Sequence, residues 1–188
     1  AEIEHPSVRE SLRFLGFDRG IEMVHTSDLP AMSGLGSSSS FTVGFLHALH
    51  ALKGSMATKR QLALDAIHVE QNLIKENVGS QDQTAAPFGG LNKIEFGGIQ
   101  KIAVSPVTAK PEVLHLLQDH LMLFFTGYSR NASEIAAEQI RKTGDNGYQL
   151  KAMSELTKEG LRIIQALGSS ITDFGRLLHE AWLLKKTL

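Results

Sequence analysis

Residues 33–40 read SGLGSSSS and combine two residue types that suit the binding of phosphate groups. Glycines at positions 34 and 36 allow a tight turn and a close approach of the backbone to a ligand. The hydroxyl groups of residues 37–40 can donate hydrogen bonds to phosphate oxygens or ligate a magnesium ion. The composition of the segment therefore predicts either an anion-binding loop or a flexible linker.

An apolar stretch begins directly after these serines and distinguishes the two interpretations. It places Val43, Leu46, Leu49 and Leu52 at helical spacing, whereas a flexible linker would have polar, aperiodic sequence on both sides. We therefore expect the serines to form the first turn of a buried helix, whose free N–H groups and dipole attract anions. An alternative stays open, in which one serine caps the helix and the others only fill space.

The composition of the chain excludes several classes of protein. Its 188 residues are 42% hydrophobic and 21% charged, as in an ordinary globular protein. A net charge of −1 provides no basic surface for nucleic acid. The longest run of large apolar residues, 121–125, is too short to span a bilayer, so we expect no membrane partner. The absence of cysteine excludes disulfides and suits a cytoplasmic protein.

The hydrophobic pattern predicts a mixture of helices and strands, which indicates the α+β class. Helices are expected at residues 8–15, 43–52, 62–74, 150–164 and 174–181, and after Asn131 or Ser133. Strands are expected at 20–24, at 121–125, and in a hairpin over 92–104 with a two-residue turn around Gly97 and Gly98. We expect Thr58 to cap a helix, Asp82 to lie in the first turn of a short one, and Trp182 to lie in the core.

Four segments of the chain resemble one family of enzymes. The segment LPAMSGLGSSSS, at 29–40, is similar to the phosphate-binding motif P-x-x-x-G-L-G-S-S of the GHMP kinases. The segment GSQDQTAAPFGGLNKIEF, at 79–96, resembles the corresponding part of bacterial D-glycero-D-manno-heptose 7-phosphate kinases. The segments FTGYSRNASEI, at 125–135, and LLHEAWLLKKTL, at 177–188, are similar to the same subfamily. The resemblance therefore runs along nearly the whole chain.

The resemblance implies the α+β GHMP kinase fold. Its N-terminal part is like domain 2 of ribosomal protein S5, and its C-terminal part is rich in helices. We expect an N-terminal-type domain at residues 1–105 and the start of a C-terminal-type domain at 106–188. Family members carry a glycine-containing segment before this region and a second glycine-rich loop after it. We therefore expect the chain to be the middle of a longer enzyme, incomplete at both ends.

The resemblance also implies an activity. We expect a cytoplasmic kinase that uses ATP and Mg²⁺ to phosphorylate the anomeric hydroxyl of a sugar phosphate, D-glycero-D-manno-heptose 7-phosphate. One alternative is a fucokinase- or galactokinase-like enzyme that acts on a free sugar. Another is a non-catalytic module that binds nucleotides. The sequence is compatible with a homodimer and does not decide the oligomeric state.

Carried over residue by residue, the resemblance assigns roles to particular side chains. It places Ser38 and Glu70 on Mg²⁺, which prefers such hard oxygen ligands. It makes Asp82 the catalytic group that accepts or orients the proton of the substrate hydroxyl, with Gln81 beside it in the substrate site. It makes Arg130 the candidate that binds the phosphate already on the substrate. The residues expected to bind ATP are Ser33, Gly34, Leu35, Gly36, Ser37, Ser38 and Ser39.

Each of these side chains also has an ordinary structural explanation. Glu70 could be a solvated carboxylate on a helix face, and Asp82 a carboxylate that complements a helix dipole. Arg130 could form a surface salt bridge. His47 and His50 lie three residues apart on one helix, but no acidic third ligand has the spacing of a zinc site, so we expect them at the surface or in packing.

Overall fold

The computed structural model describes residues 3–28, 34–98, 101–124, 132–166 and 170–188. The helices are α1 Pro6–Phe14, α2 Ser37–Leu52, α3 Lys59–Ile67, a π-helix His68–Ile74, α4 Gln81–Phe88, α5 Pro111–Asp119, α6 Ala132–Lys142, α7 Gly147–Gln165 and α8 Ile171–Lys185. Two strands, β1 Asn92–Phe96 and β2 Ile102–Pro106, form a two-stranded sheet. This mixture confirms the predicted α+β class. No helix within these ranges has the length and apolar character needed to cross a membrane.

The chain divides into two compact units. The first unit comprises Ala1–Gly90, Ile94–Ile102 and Gly127–Ala137. The second unit comprises Leu91–Lys93, Ala103–Thr126 and Glu138–Leu188. The first unit therefore holds α1 to α4 with the π-helix, and the second holds α5, α7 and α8.

The core of the first unit is built around α2. One buried cluster joins α2 to α3 and the π-helix, and it contains Val43, Leu46, Leu62, Ala66 and Val69. A second cluster joins α2 to α1 through Leu12, Phe45 and Leu49. Helix α2 is thus apolar on two faces, as predicted for a buried helix. Packing on both sides fixes the position of its N-terminus, where the glycine loop lies.

The ends of two helices confirm local signals in the sequence. Helix α2 ends before Gly54, whose φ of 70° lies in the left-handed region that favours glycine. Thr58 caps α3, because its side-chain oxygen accepts a hydrogen bond of 3.1 Å from the backbone N–H of Gln61.

The hairpin is confirmed, but its turn differs from the predicted one. The backbone N–H of Gly97 donates to the carbonyl of Lys101 at 2.8 Å, and the N–H of Lys101 donates to the carbonyl of Gly98 at 2.9 Å. The two glycines therefore lead into the turn and do not form its centre. The reason is that β2 begins only at Ile102, so the connection is longer than two residues.

Two predicted strands are wrong, and so is one predicted core residue. Residues 20–24 form no strand, and residues 121–124 form none either, with side chains 57% to 79% exposed. The remaining residue of the second run, Phe125, lies outside the described ranges. A strand needs a hydrogen-bonded neighbour, and the two-stranded hairpin described here pairs with neither run. Trp182, expected in the core, is 56% exposed.

The second unit contains the helix pair α7 and α8, both in the predicted places. Gly160 of α7 lies where the two helices cross, since a Cβ there would lie 3.3 Å from Leu177 Cδ2 and 3.5 Å from Phe174 Cε2 of α8. The absence of a side chain at this position allows the close approach. An apolar groove of about 300 Å³ lies along the same pair, lined in part by Met153 and Ile164.

Candidate functional site

The glycine loop leads directly into α2. Gly34 and Gly36 have φ values of 76° and 71°, which a residue with a side chain adopts only with strain. Gly36 is the N-cap of α2, and the N–H of Ser40 donates to its carbonyl at 2.9 Å. The serines are therefore the first turn of the helix, and the linker interpretation is wrong. Ser33 lies outside the described residues.

The N–H groups of residues 37–39 have no partner within the helix, because Ser40 makes the first helical hydrogen bond. No side chain caps this end of α2. Leu35 and Ser38 are exposed, whereas the side chain of Ser39 is buried. The loop thus offers backbone donors and the positive end of a helix dipole, the combination that suits a phosphate group.

Glu70 is a buried carboxylate that contacts this first turn. It is 1% exposed, so the explanation of Glu70 as a solvated carboxylate is wrong. Its Oε2 accepts a hydrogen bond of 2.9 Å from the hydroxyl of Ser39 and another of 2.5 Å from the Nε2 of Gln83. Its Oε1 is buried and has no hydrogen-bond partner among the residues that the structure describes. A buried carboxylate oxygen without a donor is costly, which makes Glu70 a candidate ligand for a cation.

The π-helix determines where Glu70 points. The sequence predicts one regular helix over 62–74, but the structure changes from α3 to a π-helix at His68. The π-helix closes at Lys75, which has a φ of 65°, and the N–H of Glu76 donates to the carbonyl of Glu70 at 2.9 Å. π-Helices and left-handed non-glycine residues are rare and occur often at functional sites. Hydrophobic spacing does not signal such a change of helix type.

The prediction that Ser38 and Glu70 are ligands of one metal ion stays a prediction, and the serine in direct contact with Glu70 is another one. The hydroxyl that touches Glu70 belongs to Ser39, one residue later, while Ser38 is exposed on the first turn. Successive residues on a helix point about 100° apart, so only one of the two serines can face the buried carboxylate. Gln83 was missed altogether, because nothing in the sequence signals that its amide reaches Glu70.

Asp82 lies in the first turn of α4, as predicted, and its carboxyl group contacts the glycine loop. A Cβ on Gly36 would lie 3.1 Å from Asp82 Cγ and 3.3 Å from Asp82 Oδ2. Asp82 and its neighbour Gln81 are exposed, so both are accessible to a ligand. The structure therefore brings together the predicted phosphate loop and the predicted catalytic carboxylate, which are distant in the sequence.

A further carboxyl group lies near Glu70. Burial and then the negative charge of Glu70 raise the pKa of the Glu76 carboxyl above its ordinary value, and His5 partly offsets this rise. The negative charge of Glu70 is therefore close enough to Glu76 to influence its titration.

The chemistry of the donor set fits magnesium. Glu70 Oε1 and Gln83 Oε1 are both buried oxygens that lack hydrogen-bond partners. Oxygen ligands of this type suit Mg²⁺, which in kinases is held by one or two carboxylates together with phosphate oxygens. Within the described ranges no cluster of three His, Asp or Glu side chains is placed to hold a metal ion.

The two histidines of α2 differ in their surroundings. His50 contacts Ser55 Oγ at 3.1 Å and Asp65 Oδ2 at 3.4 Å, contacts that join the end of α2 to α3. His47 is exposed. Arg130, the predicted ligand of the substrate phosphate, lies outside the described residues.

Comparison with known proteins identifies relatives of this site. A family model described as the GHMP kinases N terminal domain matches residues 7–90, which include the glycine loop, Glu70 and Asp82. The chain is 32% identical over 169 residues to the D-glycero-alpha-D-manno-heptose 7-phosphate kinase of Campylobacter jejuni. That alignment covers 88% of this chain and 49% of the relative, so the chain spans about half of the relative's length.

Other relatives carry different names. An L-fucokinase/L-fucose-1-P guanylyltransferase of Bacteroides fragilis is 28% identical, over 99% of this chain and 20% of that protein. A galactokinase of Pyrococcus furiosus is 31% identical, over 65% of this chain and 33% of that protein. The crystal structure of a D-glycero-D-manno-heptose 1-phosphate kinase from Bacteroides thetaiotaomicron matches with a TM-score of 0.72 and 25% identity. That match covers 100% of this chain and 57% of the solved one.

Proposed function

We propose that the protein is an ATP-dependent kinase of a sugar phosphate of the GHMP type. The proposal is supported by the GHMP kinase family model that matches residues 7–90 and by the heptose kinases that the chain resembles in sequence and fold. The observation that carries the proposal is the contact between the glycine loop at Gly36 and the carboxyl group of Asp82. Phosphoryl transfer requires a phosphate site and a group that orients the attacking hydroxyl, placed side by side. These two residues supply both parts.

In this proposal the loop and the start of α2 bind the phosphates of ATP. The N–H groups of residues 37–39 have no helical partner and are available to phosphate oxygens. Asp82 accepts or orients the proton of the acceptor hydroxyl, with Gln81 next to it on the substrate side. Because little covalent chemistry falls to the protein in phosphoryl transfer, holding the hydroxyl close to the phosphate is the main contribution of these residues.

The residues that would hold Mg²⁺ are Glu70, through its unpartnered Oε1, and the exposed hydroxyl of Ser38. When bound, the ion neutralises phosphate charge. Ser39 contributes by fixing the Oε2 of Glu70. Glu70 is thus the proposed carboxylate ligand of the ion, and phosphate oxygens and water complete its coordination together with Ser38.

We propose D-glycero-D-manno-heptose 7-phosphate as the acceptor, phosphorylated on its anomeric hydroxyl. Support comes from the name of the Campylobacter jejuni relative, at 32% identity, and from the solved heptose 1-phosphate kinase, at 25%. The fucokinase and galactokinase relatives, at 28% and 31%, support a free sugar as the alternative acceptor. We propose Arg130 as the residue that selects the phosphorylated sugar.

The proposal also covers the organisation of the protein. Residues 1–105 form the N-terminal-type domain of the family, and 106–188 begin the C-terminal-type domain. The reaction takes place in the cytoplasm, where ATP is available.

The test is a coupled assay of ADP formation by the protein with heptose 7-phosphate, fucose and galactose as acceptors. We expect turnover with heptose 7-phosphate and a new anomeric phosphate in the ³¹P NMR spectrum of the product. Turnover with a free sugar alone would favour the fucokinase- or galactokinase-like alternative. Nucleotide binding without ADP formation from any sugar would identify a non-catalytic module. Arg130→Met should raise the KM for heptose 7-phosphate more than that for unphosphorylated heptose.

A further inference from the structure

We infer that Gln83 is a positioning residue for the metal ligand: its amide, together with the hydroxyl of Ser39, holds Oε2 of Glu70 and so directs Oε1 toward the cation. This inference rests on the proposed function, because it assumes that a divalent cation accompanies the nucleotide at this site. It assigns a role to the residue directly after the proposed catalytic carboxylate.

The contact is specific in its geometry. Gln83 is 1% exposed, and its Nε2 lies 2.5 Å from Glu70 Oε2. A carboxylate oxygen only accepts hydrogen bonds, so the amide must present its NH₂ group and not its carbonyl to Glu70. Ser39 donates to the same oxygen at 2.9 Å. Two donors from two different helices therefore restrain one oxygen of the carboxylate.

The other oxygen is left without a donor. Glu70 Oε1 is buried and has no partner within the described part of the chain, although a buried carboxylate normally has hydrogen bonds to both oxygens. The carbonyl oxygen of Gln83 is also buried and unpartnered. Oε2 of Glu70 therefore accepts two hydrogen bonds, whereas Oε1 of Glu70 and Oε1 of Gln83 accept none from the described residues. Two free oxygens of this kind suit a divalent cation.

Helix α4 connects this arrangement to the reacting groups. Asp82 and Gln83 are consecutive residues near its start, and they contact Gly36 and Glu70, respectively. Helix α4 therefore positions two parts of the site. It places Asp82 beside the glycine loop, and it holds Glu70 through Gln83. Metal ligands held in this way depend on their hydrogen-bonding partners for orientation.

The experiment measures binding of Mn²⁺, as a probe for Mg²⁺, to the protein with saturating ADP by electron paramagnetic resonance. In Gln83→Met, which keeps the side-chain length and loses the amide, we expect the Mn²⁺ dissociation constant to rise ~10- to 100-fold. Ser39→Ala removes the other donor to the same oxygen and should give a rise in the same direction. Affinity for ADP without metal should stay unchanged in Gln83→Met.

Thr84→Val is the matched control. Thr84 is buried beside Gln83, and its hydroxyl donates to the carbonyl of Ser80 at 2.7 Å without contacting Glu70. We expect this variant to lose thermal stability and to keep its Mn²⁺ affinity within about twofold. A loss of Mn²⁺ affinity as large as that in Gln83→Met would attribute the effect to general loosening of α4 and overturn the inference.

Normal Mn²⁺ affinity in a folded Gln83→Met protein would also overturn it. If that variant does not fold, normal affinity in Ser39→Ala overturns it instead. The binding assay contains no sugar, so its result is separate from the proposed reaction. If the protein forms no ADP from heptose 7-phosphate but Gln83→Met weakens Mn²⁺ binding, the proposed acceptor is wrong and the inference about Gln83 is supported. Turnover with an unchanged Mg²⁺ requirement in Gln83→Met supports the kinase and refutes the inference.

Discussion

The carboxyl group of Asp82 lies beside Gly36, with so little space between them that a methyl group on Gly36 would lie 3.1 Å from the carboxyl carbon of Asp82. The glycine is therefore required for two reasons. Its φ of 71° is strained for other residues, and its missing side chain leaves room for the carboxylate. The loop and Asp82 consequently have to be considered as one site.

Gly36→Ala should weaken ATP binding and lower kcat without unfolding the protein. The left-handed backbone conformation of an alanine costs roughly 1–2 kcal/mol, and the new methyl group displaces Asp82. Nucleotide titration, turnover and a thermal melt measure the three effects. Gly54→Ala is the matched control, because Gly54 has a φ of 70° and open space around it. Equal effects of both substitutions on turnover would contradict the importance of the contact.

Asp82→Asn should lower kcat by ~10²-fold or more, because the amide cannot accept the proton of the attacking hydroxyl. The affinity for ATP should change little, since the shape of the side chain is kept. Single-turnover kinetics at saturating heptose 7-phosphate measure the chemical step. Near-normal turnover would reduce Asp82 to a carboxylate that complements the dipole of α4.

Ser38→Ala and Ser39→Ala should differ in their effect on stability. Ser39 donates to a buried carboxylate, so its loss should cost about 1–3 kcal/mol of stability. Ser38 is exposed, so its loss should leave Tm almost unchanged and raise the Mg²⁺ concentration for half-maximal turnover. Thermal melts and Mg²⁺ titrations distinguish the two. A normal Mg²⁺ requirement in Ser38→Ala would remove Ser38 from the metal site.

Glu76→Gln should raise the stability of the protein at neutral pH. Burial and the charge of Glu70 raise the pKa of Glu76 above its ordinary value of 4.5, so the folded state favours the protonated form. This contribution to stability is complete below 4.5 and is lost as the pH rises through the raised pKa of the folded state. The variant should therefore have a higher Tm than the parent at pH 7 and a similar one at pH 4. Equal Tm values across this range would contradict the shift.

The sequence predicted the parts of the site that depend on local signals. Glycines before a serine run and an apolar periodic stretch determine where α2 begins, and Thr58 determines where α3 begins. A local signal also places Asp82 in the first turn of α4, where a carboxylate complements the helix dipole. In each case neighbouring residues alone select the conformation.

The errors concern contacts between distant segments. A strand at 121–125 was expected from an apolar run, but a strand also needs a neighbour, which the run itself does not specify. The hydrogen bond between Ser39 and Glu70 is not signalled by the sequence, because the burial of Ser39 depends on the packing of α2. Gln83 was overlooked because an amide in a short helix has no distinctive pattern before it meets a carboxylate.

The π-helix makes the placement of Glu70 sensitive to insertions and deletions more than to substitutions. A π-helical turn contains more residues than an α-helical turn. Asn72 lies within the π-helix, and its side chain is exposed. Deleting Asn72 would return the segment to α-helical spacing and so shift the backbone at Glu70. Glu70 and Gln83 would then lose their alignment although both residues remain. The length of this segment, and not only its composition, is therefore under constraint in any variant that keeps the site.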